Sequence, residues 1–205
     1  MIPWTQIFKH PVAEIAMSHY YVNHASGCTY HNFTHITRMY EYLDSVKQPY
    51  SKALDWAVLF HDVVYDEKPD KELRSAELWY NLTKDDLEFQ DIRDEVFDLI
   101  MATKDHNSAS TTEPLKSAII RADLSGLTDP LQVFYNFERI MREATIIYKI
   151  DHVTFAENSE NFMYGLYRNV MTLKVLDIEH ADFYDKVLDG ISTTIVLGKI
   201  VRGLI

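Results

Sequence analysis

The chain has 205 residues, of which 47% are hydrophobic and 13% aromatic, enough for a sizeable core and too apolar for a disordered segment. Its 31 acidic residues against 20 Lys plus Arg give a formal charge of −11, which disfavours a protein that coats duplex nucleic acid through many phosphate contacts. A single cysteine, Cys28, excludes an internal disulfide framework and a Cys-rich zinc site, and suits a reducing cytoplasm.

The opening stretch, MIPWTQIFKHPVAEIAM, has no basic region leading into an unbroken apolar one, so no signal peptide is expected. A first helix is predicted over about 12–24, ending before Ala25-Ser26-Gly27, and a second over about 32–47, ending before Pro49. Ser51 is a natural N-cap for a third, running to about Val64. The loop DEKPDKE leads into a fourth helix at Pro69, a good first-turn residue. A fifth covers about 90–104 and is followed by the polar loop NSASTTEP. A sixth covers about 114–126, and Asp129-Pro130 opens a long seventh to about 150. Two more lie near 154–173 and 180–200.

Six glycines and no sustained period-two alternation leave little room for a sheet. The expected fold is therefore all-α: one domain over 1–205, a bundle of eight or nine helices. Its final stretch, ISTTIVLGKIVRGLI, is interrupted by Lys199 and Arg202 and is too short to span a bilayer. It reads as a docking or dimerising helix, so a homodimer is an expectation and a membrane anchor is not.

Three of these helices carry a polar residue inside an apolar run. His35 sits among Phe33, Ile36, Met39 and Leu43; His61-Asp62 interrupts DWAVLFHDVVYD; Asp123 is flanked by Ile119, Ile120, Leu124 and Leu127. A carboxylate in such surroundings costs several kcal/mol unless something pairs with it. Each alone has an ordinary explanation, such as a hydrogen-bonded core histidine or an ion pair between Asp123 and Arg121. Together, two imidazoles and two carboxylates form a nitrogen and oxygen set of the kind that holds Mn, Fe, Co, Ni, Zn or Mg. Spacing alone leaves both readings open.

The stretches YHNFTHI (30–36), LFHDVVYD (59–66), KELRSAEL (71–78), ATKDH (102–106) and RADLSGL (121–127), in that order, resemble the bacterial group of predicted metal-dependent phosphohydrolases in the HD-domain superfamily. The resemblance spans roughly 28–150. It implies an all-α bundle with one ion near its centre, held by His35, His61, Asp62 and Asp123. The sequence departs from the pattern at Lys71-Glu72 and in the placement of Gly126.

The activity so implied is hydrolysis of a phosphate ester or anhydride of a small metabolite, such as a nucleotide, by metal-activated water. Besides Asp62, Glu72 and Asp66 are the carboxylates that could position the water; Asp66 shares a face with Asp62 if the third helix persists that far. His31, one turn before His35 if the helix starts that early, would touch phosphate or support a ligand. Its spacing is not that of a zinc protease, because Asn32 stands where the catalytic Glu would be. Arg38 and Lys104 are the expected phosphate contacts. His106 would touch substrate, bind a second ion or complement a helix C-terminus. Two other readings are an HD-fold oxygenase with a diiron centre, and a non-catalytic metal-stabilised module that binds a nucleotide or a partner.

Overall fold

The computed structural model describes residues 3–106 and 113–205. Those residues contain nine α-helices and no β-strand: α1 Pro11–Ala25, α2 Phe33–Ser45, α3 Lys52–Phe60, α4 Lys71–Thr83, α5 Arg93–Asp105, α6 Pro114–Leu124, α7 Pro130–Ile147, α8 His152–Leu176 and α9 Ala181–Val201. A 3₁₀ helix over Pro3–Lys9 precedes α1, and short 3₁₀ turns follow α4, α6 and α8. The fold is thus an all-α bundle. Most of the expected polar loop, residues 107–112, lies outside the described residues.

Helix starts follow the local chemistry. The Ser51 hydroxyl accepts the Leu54 N–H, and the Asn32 side chain accepts that of Thr34. Asp129 accepts from Leu131 and Gln132 with Pro130 at the first helical position, and Asp151 caps α8 in the same way.

Of the boundaries that differ from the sequence reading, two bear on the candidate site. The third helix ends at Phe60, so His61 caps it and Asp62 falls in the turn beyond. Backbone groups at its end and in the turn beyond are taken by side chains from α1 and α4. The Tyr20 hydroxyl donates to the Leu59 carbonyl, Asn23 Nδ2 donates to that of Val63, and the Val64 N–H donates to Ser75 Oγ. The fourth helix begins at Lys71, because Asp70 takes the left-handed conformation (φ +56°) and Arg74 gathers the carbonyls of Lys68 and Pro69.

At the centre runs α3, whose residues Ala53–Phe60 are all buried. The rings of Trp56, Phe60, Trp79 and Phe89 pack edge to face or tilted, with Trp56–Trp79 and Trp79–Phe89 centroids 5.2 Å apart, and lock α3 against α4. A smaller apolar cluster around Phe137, Ala144 and Phe155 joins α7 to α8. The helix α9 lies against the turn after α6 so closely that a Cβ at Gly190 would overlap the Leu127 carbonyl. Among the described residues, no helix is long and apolar enough to cross a membrane.

Candidate metal centre

Three helix ends bring polar side chains to one place in the core. On α2, the Asn32 cap starts the helix so that His35 points inward from its first turn, 4% exposed. At the end of α3, the His61 ring folds back and its Nδ1–H donates to the Val58 carbonyl at 3.0 Å. That bond commits Nδ1 as the donor and leaves Nε2 to face the cluster. Asp62 follows in the turn, 7% exposed, and Asp123 comes from the last turn of α6.

The distances describe convergence. His35 Nε2 and His61 Nε2 are 3.3 Å apart. Asp62 Oδ2 lies 3.1 Å from His61 Nε2 and 3.7 Å from His35 Nε2. Asp123 Oδ1 lies 3.1 Å from His35 Nε2 and 3.9 Å from His61 Nε2. Ligand atoms of His35, His61 and Asp62 all fall within 4.8 Å of one another.

The donor set fits a divalent cation. Donors about 2.1 Å from an ion in tetrahedral or octahedral array stand roughly 3.0–3.4 Å apart, close to the separations here. A neutral His61, with its proton on Nδ1, turns a bare nitrogen lone pair toward a carboxylate oxygen, a repulsive arrangement. Something positive must lie between them, either an extra proton or a cation. Burial disfavours a charge on His61, but the Asp62 carboxylate beside it prevails and raises the imidazole pKa to about 9. For Asp62 and Asp123 burial works to raise the pKa and is overcome. The charge and hydrogen bond of His61 hold Asp62 well below the usual carboxylate range. Hydrogen bonds from His106 and His35 do the same for Asp123.

Around this cluster the other expected residues take varied places. His106 Nε2–H donates to Asp123 Oδ2 at 2.9 Å and so orients that carboxylate from outside. His31 is not on the helix of His35, because α2 begins only at Phe33. Its Nδ1–H donates to Glu143 Oε1 at 2.5 Å, and its ring stacks on Tyr65 at 4.0 Å. Asp66 does not share a helical face with Asp62, since α3 has already ended. Its carboxylate instead grips Arg74 at 2.6 and 2.9 Å and accepts the Lys68 N–H. Glu72, half-buried, lines a cavity of about 390 Å³ together with Lys71 and Tyr148. Arg38 donates to the Asn136 side chain at 3.2 Å, and Lys104 pairs with Asp70 at 2.8 Å.

Glu143 is the principal residue that the sequence reading missed. It is 1% exposed, and its Oε2 accepts the backbone N–H groups of Tyr30 and His31 while Oε1 takes the His31 ring. Its signal was available: Glu143 falls on the apolar stripe of α7 marked by Phe137, Ile140 and Ala144. Burial opposes a charge on His31, but the Glu143 charge and hydrogen bond override it and raise the imidazole pKa. Lys71 was noted only as a departure from the family pattern. Its ammonium lies 3.9 Å from the Tyr65 ring centroid and donates to the Tyr148 hydroxyl.

Compared with known proteins, the chain matches no family model, no curated protein and no solved structure.

Proposed function

We propose that this protein is a metal-dependent phosphohydrolase in which His35, His61, Asp62 and Asp123 hold one divalent ion. One observation supports the reading: His35, His61 and Asp62 offer ligand atoms within 4.8 Å of one another, and Asp123 Oδ1 lies 3.1 and 3.9 Å from the two imidazole nitrogens. An ion held there would lower the pKa of a bound water and polarise a phosphoryl oxygen.

The chain's own residues supply the rest. The Val58 carbonyl and His106 orient His61 and Asp123 from behind. Hydrolysis forms a bond from the water oxygen to phosphorus and breaks the bond to the leaving oxygen, which departs with the electron pair. His31, charged and held by Glu143 through Nδ1, gives its Nε2 proton to that oxygen. The proton released by water restores the imidazolium through solvent. Glu72 orients the water, and Arg38, Lys104 and Lys71 offset phosphate charge. Asp66, engaged by Arg74, secures the loop that leads into α4. A small phosphorylated metabolite is the proposed substrate, and the buried Cys28, whose thiol burial pushes up to about 12, is compatible with a cytoplasmic setting.

The test is metal analysis of the purified chain, with phosphate release measured across nucleotides and phosphate esters in Mn, Co, Ni, Zn or Mg. Wild type is expected to hold metal and release phosphate, and Asp62→Ala to do neither. Undiminished metal in Asp62→Ala removes the ligand assignment, and metal without phosphate release removes the activity. The His106 contact with Asp123 favours one second reading, a dinuclear iron oxygenase. A pair of irons per chain with oxygen consumption would establish it.

A further inference from the structure

Between α7, α8 and α9 lies a cavity of about 580 Å³, within the range of roughly 300–1,000 Å³ usual for small-molecule sites. It shares a wall with the proposed metal centre. Tyr30, His31 and Glu143 line one end, and the rings of Tyr30 and His31 lie 5.2 and 6.3 Å from that of His35. Beyond them the walls are apolar, formed by residues such as Val133, Phe137, Ile140, Phe155, Phe162 and Met163.

Most polar groups of the cavity are already committed; the exposed Asn158 and the half-buried Ser159 of α8 also line it. Asn136 Nδ2 donates to the Gly126 carbonyl, while its Oδ1 accepts from both Arg38 and Gln132. The Thr194 hydroxyl donates to the Gly190 carbonyl. Glu143 accepts from the His31 ring and two backbone N–H groups. Among the described residues that line the cavity, none is Lys or Arg. A sugar or a nucleobase placed inside would lose more hydrogen bonds to water than Asn158 and Ser159 could replace. A hydrocarbon or aryl group loses nothing polar and gains burial.

We infer that this cavity receives the leaving group, and that the substrate is a phosphate monoester of a hydrophobic alcohol or phenol. The phosphate lies at the His and Asp cluster, the ester oxygen beside Tyr30 and His31, and the apolar body between α7 and α8. The phosphate half rests on the phosphohydrolase reading; the apolar half rests on the cavity alone.

Calorimetric titration of the metal-stripped chain with 1-naphthol tests the cavity without any chemistry. Steady-state hydrolysis of 1-naphthyl phosphate, ribose 5-phosphate and adenosine 5′-monophosphate by the metal-loaded chain tests the specificity. Both are run on wild type, Ala144→Phe and Met163→Trp, so that one cavity-filling variant remains if the other does not fold. At about 25 cal/mol per Å² of apolar surface buried, an aryl body is worth roughly a hundredfold in affinity. The expected results are naphthol binding by wild type, binding weakened at least about tenfold in either variant, and a preference of roughly a hundredfold for the naphthyl ester that the variants lose through KM. Phosphate release without naphthol binding overturns the cavity assignment and leaves the hydrolase standing. Equal or better turnover of ribose 5-phosphate or the nucleotide also overturns it. Naphthol binding that the filled variants lose, with no ester hydrolysed, overturns the hydrolase and upholds the apolar site.

Discussion

Arg121 and Asp123 stand on the same short helix, yet they enter opposite kinds of buried cluster. Arg121 Nη1 donates to Asp177 Oδ2 at 2.6 Å and to Ser117 Oγ at the same distance. Asp177 Oδ2 also accepts from Ser117 and Tyr184, and its Oδ1 accepts from His180. Each contact of Asp177 sets a donor against an acceptor. Around Asp123 the balance is different, because two imidazole nitrogens and two carboxylates face one another with acceptors in excess. The first cluster is complete as protein at its carboxylate, although the buried Arg121 Nε has no partner. The second asks for positive charge, and that excess of acceptors, rather than buried polarity as such, is what marks a candidate metal site.

The difference can be broken by measurement. A cluster that lacks positive charge gains stability when a cation supplies it. Thermal melts of wild type with Mn or Co at a thousandfold excess over Kd should show about 4 kcal/mol more stability than melts in chelator. Asp123→Asn should abolish the increment, and a wild-type melt indifferent to both would remove the distinction. The complete cluster predicts the reverse pattern. Arg121→Met leaves a carboxylate short of its charged partner and should cost about 3 kcal/mol, with metal content unchanged. Loss of metal in that variant would mean that the two clusters are one.

Asp55 supplies a third case, an acid with no imidazole opposite it. It is fully buried on α3, with Oδ1 taking the Tyr40 hydroxyl and Oδ2 without a partner. Burial pushes its pKa up to about 7, although the Tyr40 and Tyr50 hydroxyls act in the other direction. The folded state therefore holds a proton that the unfolded chain releases near 3.8. Stability is full below that value and is lost as pH rises through about 7. Asp55→Asn should remove this loss, making the protein about 2 kcal/mol more stable at pH 8 and little changed at low pH. Urea unfolding at pH 4 and 8 checks it; equal effects at both would mean that Asp55 stays ionised. The smallest effect belongs to Asp66. Its contact with Arg74 is partly exposed, so Asp66→Asn should cost about 0.5 kcal/mol and leave metal content intact. A large loss of phosphate release in that variant would return Asp66 to the chemistry.

Much of the fold could be read in the sequence because its punctuation is local. Ser51, Asp129 and Pro130 act within a turn of themselves, and the helices they begin lie where that chemistry puts them. What escaped depended on distant partners. The end of α3 at Phe60 is made by Tyr20 and Asn23 of α1 and Ser75 of α4, all distant in sequence. Arg121 could be assigned to Asp123 by proximity, whereas its partner is Asp177, which caps the end of α8. His31 and Glu143 are separated by most of the bundle in sequence and touch only once α7 has folded back. Residue spacing by itself left the convergence of His35, His61, Asp62 and Asp123 open; the resemblance to HD phosphohydrolases supplied it as an expectation.

The close approach of Gly190 to Leu127 ties these regions together in time as well as in space. The helices α2, α3 and α6, which carry the cluster, are all synthesised before α9. Yet the turn that follows Asp123, which also packs on α2 and α7, gains its contact with α9 last, at a position where any larger side chain would collide with backbone. A chain halted before α9 lacks that contact, and if the cluster holds an ion, metal titration of such a chain should show weaker binding than the finished one. The segment with no motif of its own thus packs directly on the turn that follows Asp123.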